Sequence, residues 1–543
     1  MQRRGRAAEA AKSAPTMSDG VVADAVPESF WRIGVIVILV IAAVLRLYDL
    51  NLVPLHHDEG VNGNFLVRLV REGAYQYDPE NYHGPTLYYF SAIIPWTVKL
   101  LFGANARETY GLTTFTIRFI PAIFGLATIV LIFLLRRRLG TIATLAAGLM
   151  LAVSPGAVYL SRYFIHETLF VFFTFGIVVA CVWFYDLRNP SYLIPAGASA
   201  ALLFATKETA MISVGVLVIA LALTYAYERF NRKSFVPAPA GKRKARPSGL
   251  SRIIDDMGGS STLAFNFGLA VVVFLALYVL FYSSFLTYEK GLSASLQTFA
   301  VWTRTGKEAH VHSPSTYILW LWQREGTLLV LGAIGAAIVV LKPKNSLALF
   351  CALWSFGLIA AYSLIPYKTP WLVLNFVVPL ALISGYAIQA IYELDQGQLR
   401  LISVIMVLAI GVAVYQCIDL NFVNYDNEDG KYVYVYAHTK RSLLDLVNEI
   451  DRIAKQEQGG QTGITIVSPD YWPLPWYLRN YGRVGYFGRM AATVEPIIIA
   501  RTDQKEQVEA SFGGLYEQVP SKEQDGSFEL RPGVKLLLYR RRQ

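Results

Sequence analysis

Apolar residues run along this chain in long uncharged blocks rather than at the spacing of amphipathic helices or half-buried strands. Blocks of about 17–25 residues are the length that crosses a bilayer as a helix. Such blocks stand near 31–45, 116–136, 142–160, 169–186, 191–206, 209–227, 263–286, 326–341, 346–365, 371–393 and 399–419, so about eleven transmembrane helices are expected. The run at 31–45 is followed by no small-x-small cleavage site, which makes it a retained anchor rather than a removed signal peptide. Residues 1–30, Arg/Ala-rich at the start, read as a disordered cytoplasmic N-terminus. A further apolar stretch, 86–102, is short and interrupted by Pro95 and Lys99, and reads as an interfacial or re-entrant helix.

After residue 420 the pattern changes. Charged residues return and apolar runs shorten to strand length. YVYVYAH (432–438) and TGITIVS (462–468) read as strands flanking a helix over 441–455, and EPIIIAR and VKLLLYRR as two more strands. Residues 420–543 are therefore expected to form a small soluble α/β domain.

Composition agrees with a polytopic α-helical membrane protein. Of 543 residues, 54% are hydrophobic and only 16% charged, against about 25% charged in soluble chains. The three cysteines (Cys181, Cys351, Cys417) all lie in apolar runs, so neither a disulfide nor a cysteine-based zinc site is expected. The net charge of +10 raises the question of nucleic acid. Much of it, however, falls in short loops and at the N-terminus, where the positive-inside rule accounts for it.

That rule also sets the orientation. With 86–102 left out of the spans, RRR (136–138), the Pro/Lys/Arg segment 229–252 and KPK (342–344) all share the cytoplasmic side with the N-terminus. The protein is then expected in the plasma or inner membrane, with 420–543 outside the cytoplasm. The segment KSFVPAPAGKRKARPSG has the composition of a solvated loop lying against anionic lipid.

The polar chemistry gathers on the opposite face. HHDEG (56–60), His83, SRYFIHE (161–167), TKET (206–209), His310 with His312, and PYKTP (366–370) all become external. Ionisable residues are costly in a membrane, by about 2.5–3.5 kcal/mol at mid-span on insertion scales, so their convergence points to function. Motifs narrow the class. HETLF (166–170) lacks the second histidine of a zincin, and no P-loop, nucleophile elbow or nucleic-acid module occurs.

HHDEGVNGNFLVRLVREGAYQYDPENYHGPTLYYF (56–90) resembles the GT-C superfamily of polyprenyl-phosphate-sugar-dependent glycosyltransferases, in its protein O-mannosyltransferase and aminoarabinose-transferase branches. It is most similar to the prokaryotic flippase-activity-associated (Agl23-like) family. The resemblance covers about 30–420, and YWPLPWYLRNYG (472–482 apart from its first residue) is also family-like. It implies a GT-C-like transmembrane domain over 31–419, whose external loop 49–115 bears the acidic pair Asp58–Glu59 and interfacial helices. SRYFIHE stands where the superfamily carries a second acidic or arginine-containing motif, here His166–Glu167, and KTPWL (368–372) resembles a motif near the lipid-phosphate site. His83–Gly84–Pro85 departs from the acidic residue that aminoarabinose transferases carry there, so their metal ligands do not transfer directly.

The implied donor is a polyprenyl-phosphate-linked sugar and the acceptor a protein, lipid or glycan, without nucleic acid. Asp58 would relieve the acceptor of its proton, with Glu59 orienting it or serving in its place. Lys368, Arg162 and Lys207 would hold the phosphate as its charge grows, and a single displacement would invert the anomeric carbon. His57, His83, His310 and His312 offer nitrogen ligands for an optional divalent metal, Zn or Mn/Mg. Two other classes remain open at this point. A transporter or flippase component would carry ionisable residues at mid-span, and a non-catalytic partner in surface-glycan or glycoprotein assembly would have a decayed site.

Overall fold

The structure, a computed structural model, describes residues 26–73, 75–81, 83–231, 254–308, 310–394 and 399–542. Most of the N-terminal stretch read as disordered, and most of the basic loop 229–252, lie outside the described residues. The helices are α1 (Glu28–Leu47), α2 (His57–Glu72), α3 (Thr86–Phe102), α4 (Thr114–Phe133), α5 (Thr141–Val153), α6 (Pro155–Ser161), α7 (Glu167–Leu187), α8 (Leu193–Phe204) and α9 (Ala210–Phe230). They continue as α10 (Gly259–Tyr282), α11 (Lys290–Glu308), α12 (Thr316–Leu341), α13 (Ser346–Leu364), α14 (Leu374–Leu394) and α15 (Leu399–Ile418).

Among the described residues, nine helices are long and apolar enough to cross a membrane, or ten if the bent pair α5–α6 is one span. Every expected span is thus helical, but two differ from a simple crossing. The run 142–160 is broken by a 60° bend between α5 and α6. Pro155 cannot donate to the preceding turn, and it sits at the first position of the new helix, with Ser154 Oγ capping Ala157 N at 3.2 Å. The run 191–206 yields only the 12-residue α8. At about 1.5 Å per residue it is shorter than the bilayer core is thick. Its far end is completed by the turn Thr206–Thr209, all four residues buried in protein.

α14 lies at the centre, buried along almost its whole length, against α12 and α5. Small residues allow the approach. A Cβ on Gly385 would fall 2.2 Å from the Ala143 carbonyl oxygen, and one on Gly335 would fall 2.2 Å from that of Ile383. At the periphery α10 leaves Phe265 and Phe267 exposed, the pattern of a lipid-facing helix.

Beyond α15, helix α16 (Ser442–Gln456) packs on a six-stranded mixed sheet. Its strands are β1 (Ile464–Ile466), β2 (Val484–Tyr486), β3 (Ile497–Arg501), β4 (Tyr516–Val519), β5 (Phe528–Arg531) and β6 (Val534–Arg541), in the order β2-β1-β3-β6-β4 with β5 also on β6. A short helix α17 (Leu474–Tyr477) links β1 to β2. Segment 432–438 is not the strand its alternation predicts. Tyr432, Tyr434 and Val435 bury themselves in the main membrane core instead. The Tyr434 ring lies so close to Gly156 that a Cβ there would sit 2.4 Å from its hydroxyl. The alternation therefore serves packing on the helices rather than a sheet ladder.

Candidate active site

The site starts at the N-terminus of α2. His56 is its N-cap: its Nδ1 accepts from Asp58 N at 3.1 Å, while Glu59 Oε2 accepts from His56 N at 3.0 Å. HHDE is thus a capping box with histidine in the usual Ser/Thr place, and its acidic residues suit the positive end of the helix dipole. Because Nδ1 accepts, the proton of His56 sits on Nε2, which donates to the Tyr436 carbonyl at 3.0 Å.

The two carboxylates of the motif have different fates. Glu59 is fully buried and accepts from Arg118 Nε (2.7 Å), Arg118 Nη2 (2.5 Å), Phe164 N (2.8 Å) and His56 N. Four donors match the lone-pair capacity of a carboxylate. Arg118 also donates to the carbonyls of Leu50, Val53 and Pro54. Glu59 is therefore a structural anchor joining α2, α4, the linker before α2 and the SRYFIHE loop, which corrects its assignment to catalysis. Asp58 keeps 41% of its side chain exposed, with Oδ2 3.8 Å from His56 Nδ1. It is the more exposed carboxylate of the two.

A second set lies where SRYFIHE, TKET and the segment around His83 meet. Lys207 Nζ donates to Glu167 Oε1 at 2.5 Å, and His83 Nδ1 pairs with Glu208 Oε2 at 3.1 Å. His166 Nε2 donates to the Gly84 carbonyl at 3.0 Å, its ring 5.0 Å from that of His83. Gly84 is needed there, since a Cβ would fall 2.0 Å from the Ala205 carbonyl oxygen. His83–Gly84–Pro85 thus builds a close backbone crossing. Burial alone would lower the Lys207 pKa; Glu167 and Glu208 outweigh it and hold the amine above its usual range. Burial likewise opposes ionisation of Glu208, yet His83 and Lys207 keep it below the usual carboxylate range.

The third set is the PYKTP loop. Lys368 is buried, its Nζ donating to the Ile365 carbonyl at 2.5 Å and reaching that of His312 at 3.4 Å, 5.8 Å from the Tyr317 ring centre. Among the described residues no carboxylate pairs with it, and loss of hydration lowers its pKa. Tyr367, next to it, packs its ring 5.4 Å from that of His310. Burial pushes its hydroxyl up to about 12, with Lys207 opposing and Glu167 and Asp58 adding to the rise.

Two further expectations differ from this geometry. Arg162 spends its donors on the carbonyls of Leu45, Tyr48 and Asp49 and lies over Phe422, so it closes the end of α1 rather than waiting for a phosphate. The four histidines expected to share a metal are dispersed. His57 packs on Trp472, His83 pairs with Glu208, His310 hydrogen-bonds Tyr436 at 3.2 Å, and His312 packs on Trp320. Among the described residues no group of three or more metal-ligating side chains forms, so these four histidines do not make one shared site. Residues not foreseen include Arg118, Tyr367 and His438, whose buried ring stacks on His56 at 5.7 Å. Arg118 carried a signal, being a charge inside an apolar span. His438 carried none.

The comparisons with known proteins bear on the fold. Residues 93–240 match the family described as dolichyl-phosphate-mannose-protein mannosyltransferase. The crystal structure of ArnT from Cupriavidus metallidurans in the apo state superposes with a TM-score of 0.62 at 12% identity, covering 94% of this chain and 98% of that one. The same protein bound to undecaprenyl phosphate gives 0.59 at 13% identity over the same shares. AglB from Archaeoglobus fulgidus, in complex with an inhibitory peptide and a dolichol-phosphate, gives 0.52 at 13% identity, covering 88% of this chain and 70% of that one. No curated protein sequence matches the chain. At such identities the likeness to solved structures is one of fold. The chain thus shares the fold of these membrane glycosyltransferases and, over residues 93–240, is similar to the mannosyltransferase family.

Proposed function

We propose that the protein transfers a sugar from a polyprenyl-phosphate donor to an acceptor nucleophile at the external membrane face, with inversion at the anomeric carbon. The observation that carries this reading is the sorting of the acidic pair. Glu59 is consumed by Arg118, while Asp58 stays half-exposed beside His56, whose ring lies 6.5 Å from Trp371 in the segment that carries Lys368. A carboxylate base beside a cation-bearing segment suits a displacement that takes a proton on one side and releases a phosphate on the other.

In the step proposed, the acceptor oxygen or nitrogen attacks the anomeric carbon and its proton passes to Asp58. The bond from that carbon to the phosphate oxygen breaks, and the electron pair leaves with the polyprenyl phosphate. Lys368, unpaired by any described carboxylate, supplies positive charge where the leaving group becomes more negative. Lys207 contributes through its pair with Glu167, as a fixed charge rather than a mobile one. The similar structures that hold undecaprenyl phosphate and dolichol-phosphate support a donor of this class. Residues 420–543 are read as an extracytoplasmic domain and the N-terminus as cytoplasmic, in the plasma or inner membrane.

The test is incubation of purified full-length protein with radiolabelled polyprenyl-phosphate sugars and a cell-envelope extract. Label is expected to leave the polyprenyl phosphate for an acceptor, in a linkage of opposite anomeric configuration. Label that stays on the polyprenyl phosphate across the donor series would overturn the proposal.

A further inference from the structure

α2 does not hold its position by the membrane helices alone. Its outer face is covered by residues 471–480 from the sheet-bearing region, and the cover is close. A Cβ on Gly60 would fall 2.5 Å from Pro473 Cβ, and one on Gly63 would fall 2.6 Å from Trp476 Cε3. Both glycines are buried inside a helix with ordinary helical backbone. Their lack of a side chain therefore serves the approach of another segment rather than turn flexibility.

Polar contacts fix the same segment at both ends of α2. Leu55 N donates to Tyr477 Oη at 2.9 Å, just before the helix begins. At its far end Arg71 donates to the Arg479 carbonyl at 2.6 Å and to Asn480 Oδ1 at 2.8 Å. Arg479 in turn donates to the Leu112 carbonyl at 2.7 Å and lies over the Trp476 ring. The short helix α17 is two-faced: Leu474 and Leu478 belong to the core of the sheet region, whereas Trp476 belongs to the membrane core. Trp472 finally lies against His57, the neighbour of Asp58 in sequence.

We infer that residues 471–480 are a built-in wall of the active site, and that Trp476 is a positioning residue that sets the placement of α2 and so of Asp58. The sheet region would then act on catalysis through rigid contact, whether or not it also touches the acceptor. The inference rests on the reading of Asp58 as the acidic centre, and its test separates the two.

Gly63→Ala adds the methyl group that the Trp476 ring excludes, and Trp476→Phe trims the ring. Position is read without activity by placing Asp58→Cys in a Cys181→Ser background and measuring the rate of labelling by a water-soluble thiol reagent; the other two cysteines are buried. Gly63→Ala is expected to change that rate, and Gly63→Ala/Trp476→Phe to restore it. In the protein with Asp58 intact, Gly63→Ala should lower kcat by about 10²-fold, the typical cost of an ångström-scale misplacement. The donor KM should stay unchanged and the double variant should recover turnover. Tyr477→Phe, which removes only the acceptor for Leu55 N–H, should move labelling and kcat in the same direction. Labelling that moves and recovers while kcat stays constant would support the wall and sink Asp58 as the base. Labelling unaffected by Gly63→Ala in a folded protein would overturn the inference, as would a loss that Trp476→Phe fails to restore.

Discussion

Asp58 and Glu59 are adjacent and chemically alike, and what separates them is the company each keeps. Glu59 shares a buried site with the Arg118 guanidinium, its side chain 0% and that of Arg118 2% exposed. Removing one partner of such a pair leaves the other charge buried and alone, at a cost of about 3–5 kcal/mol. Glu59→Gln is therefore expected to lower the thermal midpoint sharply and to lose activity with the fold. A variant of normal stability and no turnover would instead move the catalytic role to Glu59. Lys368 is the reverse case, a buried cation satisfied only by carbonyl oxygens. Lys368→Ala should keep its fold and weaken donor binding roughly 10–100-fold, the worth of one charge-assisted hydrogen bond; an unchanged donor affinity in a binding titration would contradict this. The acidic motif was legible in the sequence. The division of labour within it was not, because it depends on an arginine 59 positions away.

At the level of elements, local chemistry was legible where it acts locally. Pro155 predicts the break between α5 and α6 by its missing N–H, and the polar TKET turn marks where α8 must stop. The break also needs a distant partner, since Glu325 Oε1 accepts from Ser154 Oγ at 2.9 Å and Gly156 N at 2.8 Å. The segment 432–438 shows the limit of pattern. Its alternating tyrosines look like a strand, but the surface that receives them is a helix bundle. That docking buries His438 with neither ring nitrogen hydrogen-bonded in the described structure. Burial, with His56 and Arg118 adding to it, pushes the His438 pKa well below its usual value. A free histidine titrates near about 6.5. As pH falls below that value the unfolded chain takes up a proton that the folded site refuses, so stability is full above it and declines below it. Thermal midpoints measured from neutral pH down to mild acid should fall less steeply in His438→Leu than in the wild type. Equal slopes would mean that His438 is not held neutral.

On the scale of the whole molecule, the polar sites and the basic loops occupy opposite ends of the same helices. Arg118 lies in the first turns of α4 and the RRR segment follows its last turn, while His312 precedes α12 and KPK follows it. On the proposal that the positive-inside rule orients this chain, the site lies outside. Reporters fused after residue 138, 245 or 343 should read cytoplasm, and those after 110 or 425 exterior. A cytoplasmic reading at 110 would turn α3 into a full span and split the site between two faces. The fold packs Trp371 of the lysine-bearing segment and Trp472 of the sheet-bearing region against His56 and His57 at the start of α2. What it does there is tested most directly by transfer from a radiolabelled polyprenyl-phosphate sugar, wild type against Asp58→Asn, with donor binding measured in parallel. Removing a positioned base while keeping its shape should reduce turnover by about 10²–10⁴-fold and leave donor binding intact. Full transfer by Asp58→Asn would contradict the account.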